Sequence, residues 1–415
     1  MTSILFQNAT LLDPALPDLQ EGMHVLVEGG AVKEVSDRPL QSSSARAIDL
    51  RGRTLMPGLI DLHVHVLATQ LNLSTQGVLP DALVMMRAVP IMAAMLRRGF
   101  TTVRDAGGAG WGLKCAVEEG TVVGPRLFIS GHAISQTGGH GDPRPRSDHL
   151  RPMSFCGCCF RAGDIGRVAD GVDEVRKAVR QELQMGADQI KIMASGGVAS
   201  PTDPIAAFGY AEDEIRAIVA EAAGRQTYVM AHAYTAQAIS RAVANGVRTI
   251  EHGNLVDEAA AALMAERGAY VVPTLITYEA LANEGADYGL PADSVAKIAT
   301  VRTAGLHSLE IYKRAGVKMG YGSDLLGPSQ RLQSDEFRLR AQVLTPREVI
   351  QSATTIAAEV LNMRDRLGRI VPGAMADMLV VDGNPYRDVS CLLGQGDHIG
   401  LVMKDGKIFH DALAA

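Results

Sequence analysis

The middle of the chain alternates short apolar runs with amphipathic stretches, and this alternation constrains the fold more than any other feature. Eight strand-like runs, at 59–65, 101–105, 126–132, 189–194, 228–232, 249–252, 270–274 and 318–324, each end in a polar or glycine-containing loop. Stretches with 3.6-residue patterning, at 80–98, 172–185, 211–225, 236–245, 257–267 and 294–315, lie between most of them. Eight strands alternating with helices predict an α/β chain folded as a (β/α)8 TIM barrel.

The two ends read differently. Runs at 4–8, 24–28 and 31–35 precede the barrel segment, and runs at 377–382 and 400–404 follow it. Glu28-Gly-Gly-Ala31 and Lys404-Asp-Gly-Lys407 mark hairpin turns. Neither end has enough strands to be stable alone. The expectation is therefore one small β-sandwich domain assembled from 1–57 and 364–415, flanking a barrel domain at 58–363. A further helix at 346–363 leads the chain back to that domain.

Composition narrows the function classes. With 47% hydrophobic and 21% charged residues, the 415-residue chain can bury a sizeable core. A net charge of −6 and 4% aromatic residues offer neither the basic footprint nor the stacking platforms of a nucleic-acid binder. No apolar run reaches the roughly 18 residues needed to span a bilayer. The first seven residues lack the basic start and small-residue cleavage site of a secretory leader. These features predict a cytoplasmic protein with neither nucleic-acid nor membrane partners. Five cysteines, three of them clustered as Cys156, Cys158 and Cys159, do not make a disulfide framework. A zinc knot at that cluster would need a second ligand pair that the spacing does not provide, so reduced loop thiols are expected.

Polar residues fall where barrel chemistry belongs, at the C-terminal ends of strands. His63 and His65 close the first run, and strand alternation points both to one side. Lys191 lies inside the fourth run, His232 closes the fifth, His252 the sixth and Asp324 the eighth. Singly, each has a plainer reading: a satisfied strand-end histidine, an ion-paired core lysine, a turn-capping aspartate. Jointly, four imidazoles, a carboxylate and an amine outline a binuclear metal site for zinc or a similar ion.

Met56-Pro-Gly-Leu-Ile-Asp-Leu-His-Val-His65, Gly99-Phe-Thr-Thr-Val-Arg-Asp105, Glu251-His-Gly253 and Gly322-Ser-Asp324 resemble the amidohydrolase superfamily. Within it they are most similar to the branch of imidazolonepropionase-like Xaa-Pro dipeptidases (prolidases), carboxypeptidases and ochratoxin-degrading amidases. The resemblance covers nearly the whole chain, including Gly368-Arg-Ile-Val-Pro-Gly-Ala-Met-Ala-Asp377. It implies that His63, His65 and Asp324 bind the more buried of two divalent metals, with zinc as the expected ion, and that His232 and His252 bind the other. Lys191, carbamylated by CO2, would bridge them. A bridging hydroxide would attack the scissile carbonyl, with Asp324 accepting its proton and passing it to the leaving amine. The resemblance also implies a large homo-oligomer.

In the dipeptidases and carboxypeptidases that the chain resembles, residues matching His140 of Thr137-Gly-Gly-His-Gly-Asp142 and Tyr234 of His232-Ala-Tyr-Thr235 contact the substrate α-carboxylate. An imidazole and a phenol suit that task. Arg144 and Arg146 read as solvated loop charges, and His132 and His307 as structural. The glycines of Ser195-Gly-Gly-Val-Ala-Ser-Pro201 read as sites of close backbone approach.

The resulting expectation is an enzyme that cleaves amide bonds of small substrates with a free C-terminal carboxylate, Xaa-Pro dipeptides and N-acyl-prolines foremost. Hydrolysis of N-acyl aromatic or basic amino acids, including ochratoxin-like amides and carboxypeptidase action at Arg or Lys, is the first alternative. Cyclic-amide hydrolysis is the second. A non-catalytic scaffold of the same fold is disfavoured, because all six ligand positions are filled.

Overall fold

The computed structural model describes residues 3–77, 79–142, 144, 163–198, 203–287 and 292–413. The two ends of the chain meet in one mixed sheet of eight strands. Across it lie Lys407–Asp411, Ile399–Lys404, Met378–Val381, Thr54–Pro57, Ile4–Leu11, Gln20–Glu28 and Ala31–Ser36, with Arg46–Asp49 paired to Ile4–Leu11 off this path. The halves join where Thr54–Pro57 runs antiparallel to Met378–Val381. Ile4–Leu11 changes partner on one side: residues 4–7 pair with Arg46–Asp49 and residues 10–11 with Thr54–Pro57. The switch falls at Asn8, whose φ of 53° is left-handed and whose side chain donates to Asp49 Oδ1 at 2.9 Å. Phe6, Val25, Leu55, Met378, Val380, Leu401 and Met403 fill a core drawn from both ends, so neither end buries its apolar face alone.

The middle of the chain supplies parallel strands and the helices between them. Leu59–Val64, Phe100–Asp105 and Arg126–Ile129 form a three-stranded sheet. A six-stranded sheet runs Gly166–Val168, Ala133–Ser135, Ile190–Met193, Val229–Thr235, Thr249–Leu255 and Tyr270–Val272. Single hydrogen bonds link the two. Asp188 N donates to Ile129 O at 2.7 Å. The segment from Lys318 to Tyr321 bonds Val271 on one side (2.8 and 3.1 Å) and Leu62 on the other (2.8 Å).

Three expectations differ in detail, each for a local reason. The run at 126–132 breaks at Gly131, whose φ is +66°, and resumes as Ala133–Ser135 in the other sheet. The run at 318–324 forms one isolated bridge, Val271 to Met319, rather than a ladder strand. There Gly320 and Gly322 press so closely on Leu62 and Val272 that a Cβ at either would collide. The helix at 346–363 is two, Pro346–Ser352 and Thr355–Val360. Between them the Ser352 and Ala353 carbonyls accept from Tyr321 N (2.9 Å) and Ile60 N (2.8 Å), tying the break to the parallel strands. Among the described residues, four α-helices lie outside the expected stretches, Leu73–Gln76 and Asp335–Arg340 being only four and six residues long. Trp111–Glu118 has only eight residues, and Leu275–Glu284 buries too many of its sides to show a periodic face.

Among the described residues, no helix is long and apolar enough to cross a membrane.

Candidate active site

All eight site residues expected from sequence line one cavity of about 60 Å3: His63, His65, His140, Lys191, His232, Tyr234, His252 and Asp324. They reach it from the ends of different parallel strands and the loops that follow, as alternation in a strand requires of His63 and His65.

His63, His65, His232 and His252 each have one nitrogen committed to the protein. His63 Nδ1 lies 2.7 Å from Glu251 Oε2, and His65 Nδ1 lies 2.9 Å from the Gly107 carbonyl. A carbonyl and a carboxylate only accept, so both Nδ1 atoms carry a proton and both Nε2 atoms are left to the cavity. Burial there opposes a second proton on His65, but the Asp324 carboxylate outweighs it and raises His65 above its ordinary value. Those Nε2 atoms each lie 3.4 Å from Asp324 Oδ1, and one ligand atom from each of the three residues falls within 4.8 Å of the others. Asp324 is held at φ 50° with its amide donating to His63 O at 2.8 Å. Burial opposes ionisation of Asp324, but its attraction to His63, His65 and Lys191 outweighs burial and keeps the carboxyl below its ordinary range. Each ring exerts that pull only when it carries its second proton.

In the second pair the rule fixes His232, whereas His252 faces a hydroxyl that can donate or accept. His232 Nε2 lies 3.0 Å from the Gly196 carbonyl, leaving Nδ1 free, while His252 Nδ1 lies 2.7 Å from Thr274 Oγ1. The His232 and His252 ring centroids are 4.7 Å apart, and His63 stands 5.0 Å from His252. Burial drives His63, His232 and His252 well below the usual imidazole range, so all three are neutral donors. Burial likewise lowers Lys191 to about 8, with Glu251 and Asp324 pulling it back up. Imidazoles that each keep one ring nitrogen for the cavity, a carboxylate and a buried amine suit divalent ions of the zinc type.

Sequence reasoning overlooked the layer behind these groups. Glu251 takes hydrogen bonds from Arg104 Nη2 (2.9 Å) and Thr249 Oγ1 (2.6 Å) as well as facing His63. Arg104 also donates to Leu62 O at 2.7 Å, and all of these groups are buried. Asp105 accepts from Val66, Gly107 and Ala109 amides at 2.8–3.1 Å, which fixes the loop carrying the His65 acceptor. The available signal was an arginine inside an apolar strand, which demands a buried acid somewhere.

His140 and Tyr234 stand on the far side of His232. The His140 ring stacks on His232 at 4.4 Å, and its Nδ1 lies 3.6 Å from Asp203 Oδ2. Tyr234 meets His232 edge-on at 4.8 Å and accepts from the Tyr278 hydroxyl at 2.9 Å. The glycines at 196 and 197 are sites of close approach: a Cβ on Gly197 would strike the His140 ring, and one on Gly196 the Pro204 carbonyl. Other candidates lie apart from the cavity. Arg144 pairs with Asp142 at 2.6 Å, His132 with Glu182 at 3.1 Å, and exposed His307 with Glu310 at 3.1 Å. Arg146, Cys156, Cys158 and Cys159 fall outside the described residues.

Comparison with known proteins identifies the family. Residues 54–409 match the amidohydrolase family. An ochratoxinase of Aspergillus niger is 33% identical over 366 residues, spanning 86% of this chain and 75% of that one. A solved amidohydrolase is 70% identical with a TM-score of 0.97, covering 99% of each chain. A prolidase solved with N-methylphosphonate-L-proline is 58% identical with a TM-score of 0.96, covering 99% of this chain and 100% of that one.

Proposed function

The chain belongs to the amidohydrolase family, and we propose that it hydrolyses the amide bond of small substrates ending in a free carboxylate, Xaa-Pro dipeptides and N-acyl-prolines first among them. One observation carries the reading. The cavity sets metal-type donors, His63, His65 and Asp324, beside a phenol and an imidazole, Tyr234 and His140, that suit an anion. The similar prolidase supports the prolyl choice, since the ligand named in its structure is a derivative of L-proline.

His63, His65 and Asp324 would hold one divalent metal and His232 and His252 a second, zinc by their donor chemistry, with Lys191 carbamylated by CO2 between them. Bound there, the metals would supply Lewis acidity and activate water. The chain's own residues supply the rest. Asp324, whose carboxyl lies below its ordinary range, accepts a proton from the attacking water and returns it to the leaving amine. Glu251 holds the His63 tautomer through its 2.7 Å contact, and Gly107 does the same for His65. Tyr234 and His140 hold the substrate carboxylate, fixing the scissile bond against Asp324.

Met193, Val198, Leu281 and Leu326 give the cavity an apolar wall, and this favours a second reading in which N-acyl aromatic amino acids, including ochratoxin-like amides, are cleaved. A panel of L-Xaa-L-Xaa dipeptides and N-acyl-L-amino acids, offered to zinc-loaded protein, separates the two. Turnover highest with C-terminal proline is expected. Failure on every C-terminal proline substrate would overturn the prolyl assignment, and turnover confined to aromatic acids would establish the second reading.

A further inference from the structure

Tyr278 was not among the site residues expected from sequence, yet it lines the cavity and is 1% exposed. It sits in the first turn of the helix Leu275–Glu284, directly after the strand Tyr270–Val272. That turn is anchored. Ile276 N donates to Glu336 Oε2 at 2.8 Å, and Glu336 in turn accepts from Arg340 Nε at 2.7 Å. The Tyr278 hydroxyl donates to the Tyr234 hydroxyl at 2.9 Å.

A hydroxyl has one proton. Thr274 sets the direction, since its Oγ1 lies 2.7 Å from His252 Nδ1 and it also hydrogen-bonds Tyr278. With His252 donating to Thr274, each hydroxyl passes its proton along the row, Thr274 to Tyr278 and Tyr278 to Tyr234, and Tyr234 must direct its own elsewhere. Among the described residues, Tyr278 is the one side-chain hydrogen-bond partner of the Tyr234 hydroxyl. The ring cannot swing away to find another, since it is wedged edge-on against His232 and tilted against His252 at 5.3 Å. Its backbone amide donates to Ser195 Oγ at 3.2 Å. The remaining direction for the Tyr234 proton is the cavity.

We propose that Tyr278 is a positioning residue that commits the Tyr234 hydroxyl to donate into the cavity, and so makes the site selective for a ligand carboxylate. This rests on the carboxylate reading above and deepens it. A phenol free to rotate would accept from a ligand hydroxyl as readily as it donates to a carboxylate. A phenol whose proton is already aimed into the cavity, with one of its two lone pairs taken by Tyr278, favours the carboxylate, because a donor aimed at an anion makes the stronger hydrogen bond.

The test uses the best N-acyl-L-amino acid substrate of the zinc-loaded protein and its alcohol counterpart, in which CH2OH replaces the carboxylate. The readout is the ratio of kcat/KM for acid over alcohol. Both values come from one preparation, so the ratio is indifferent to partial unfolding. Tyr278→Phe is expected to lower the ratio about tenfold, the size of one charge-assisted hydrogen bond, mainly through KM for the acid. In a Tyr234→Phe background, adding Tyr278→Phe is expected to change the ratio no further, because the two act as a unit. An unchanged ratio in Tyr278→Phe, or a loss that adds to that of Tyr234→Phe, would overturn the proposal while leaving the carboxylate reading intact. A wild-type ratio near one, or no turnover of any acid, would overturn both.

Discussion

At the scale of single residues, each metal-type donor is set by a partner that the chemistry does not touch. Glu251 shows this most clearly, since one carboxylate orients His63, pairs with Arg104 and accepts from Thr249. Glu251→Gln should leave the Arg104 charge buried and unpaired and cost about 3–5 kcal/mol of stability, read from denaturant midpoints. The same variant should weaken zinc affinity by about 10–100-fold in chelator competition, through the loss of the His63 tautomer lock. A variant with unchanged affinity would show that the Glu251 contact does not tune the donor. Asp324→Asn should lower kcat at least about 100-fold with the fold retained by circular dichroism. Near-normal turnover would remove Asp324 from proton transfer. The strand-end residues were legible in the sequence because position and side-chain type coincide at His63, His65, His232, His252 and Asp324. Glu251 and Arg104 were not, because their pairing spans 147 residues and no local pattern announces it.

At the scale of elements, glycines decide how closely loops approach the site. Gly197 lies against the His140 ring, so Gly197→Ala must push that imidazole aside or bend the loop. Overpacking of this kind costs about 1–3 kcal/mol. The expected result is a raised KM for carboxylate substrates with a smaller change in kcat, measured by steady-state kinetics; a wild-type KM would show that the loop yields instead. The alternation of strands and helices was legible because it is a local pattern. The breaks at Gly131 and between Ser352 and Thr355 were not, because they serve hydrogen bonds and packing with distant segments. Tyr278 was hidden for a related reason. Leu275, Ile276, Thr277, Tyr278, Ala280 and Leu281 are all buried, so the helix lacks the polar face that would have marked it.

At the scale of the whole molecule, the terminal sheet is tied to the parallel strands by buried charge. Arg126, in the third parallel strand, donates to Asp377 at 2.7 and 3.1 Å and also pairs with Asp405, joining the parallel strands to the returning chain. A second charged cluster gives the fold an acid limit. Burial opposes ionisation of Glu182, yet His132 and Arg167 outweigh it and hold the carboxyl below its ordinary 4.5. The folded protein therefore takes up this proton less readily than the unfolded chain. The stabilisation is present above about pH 4.5 and is lost as pH falls through the lowered folded value. Urea midpoints of wild type and Glu182→Gln should accordingly differ at pH 7 and converge in acid; a constant gap would contradict this assignment.

The account as a whole stands on the donor set at the strand ends. The direct test is to count zinc bound per chain by mass spectrometry after reconstitution with zinc and bicarbonate. The account predicts about two ions per chain, as in two-metal hydrolytic sites; fewer than one per chain would contradict it.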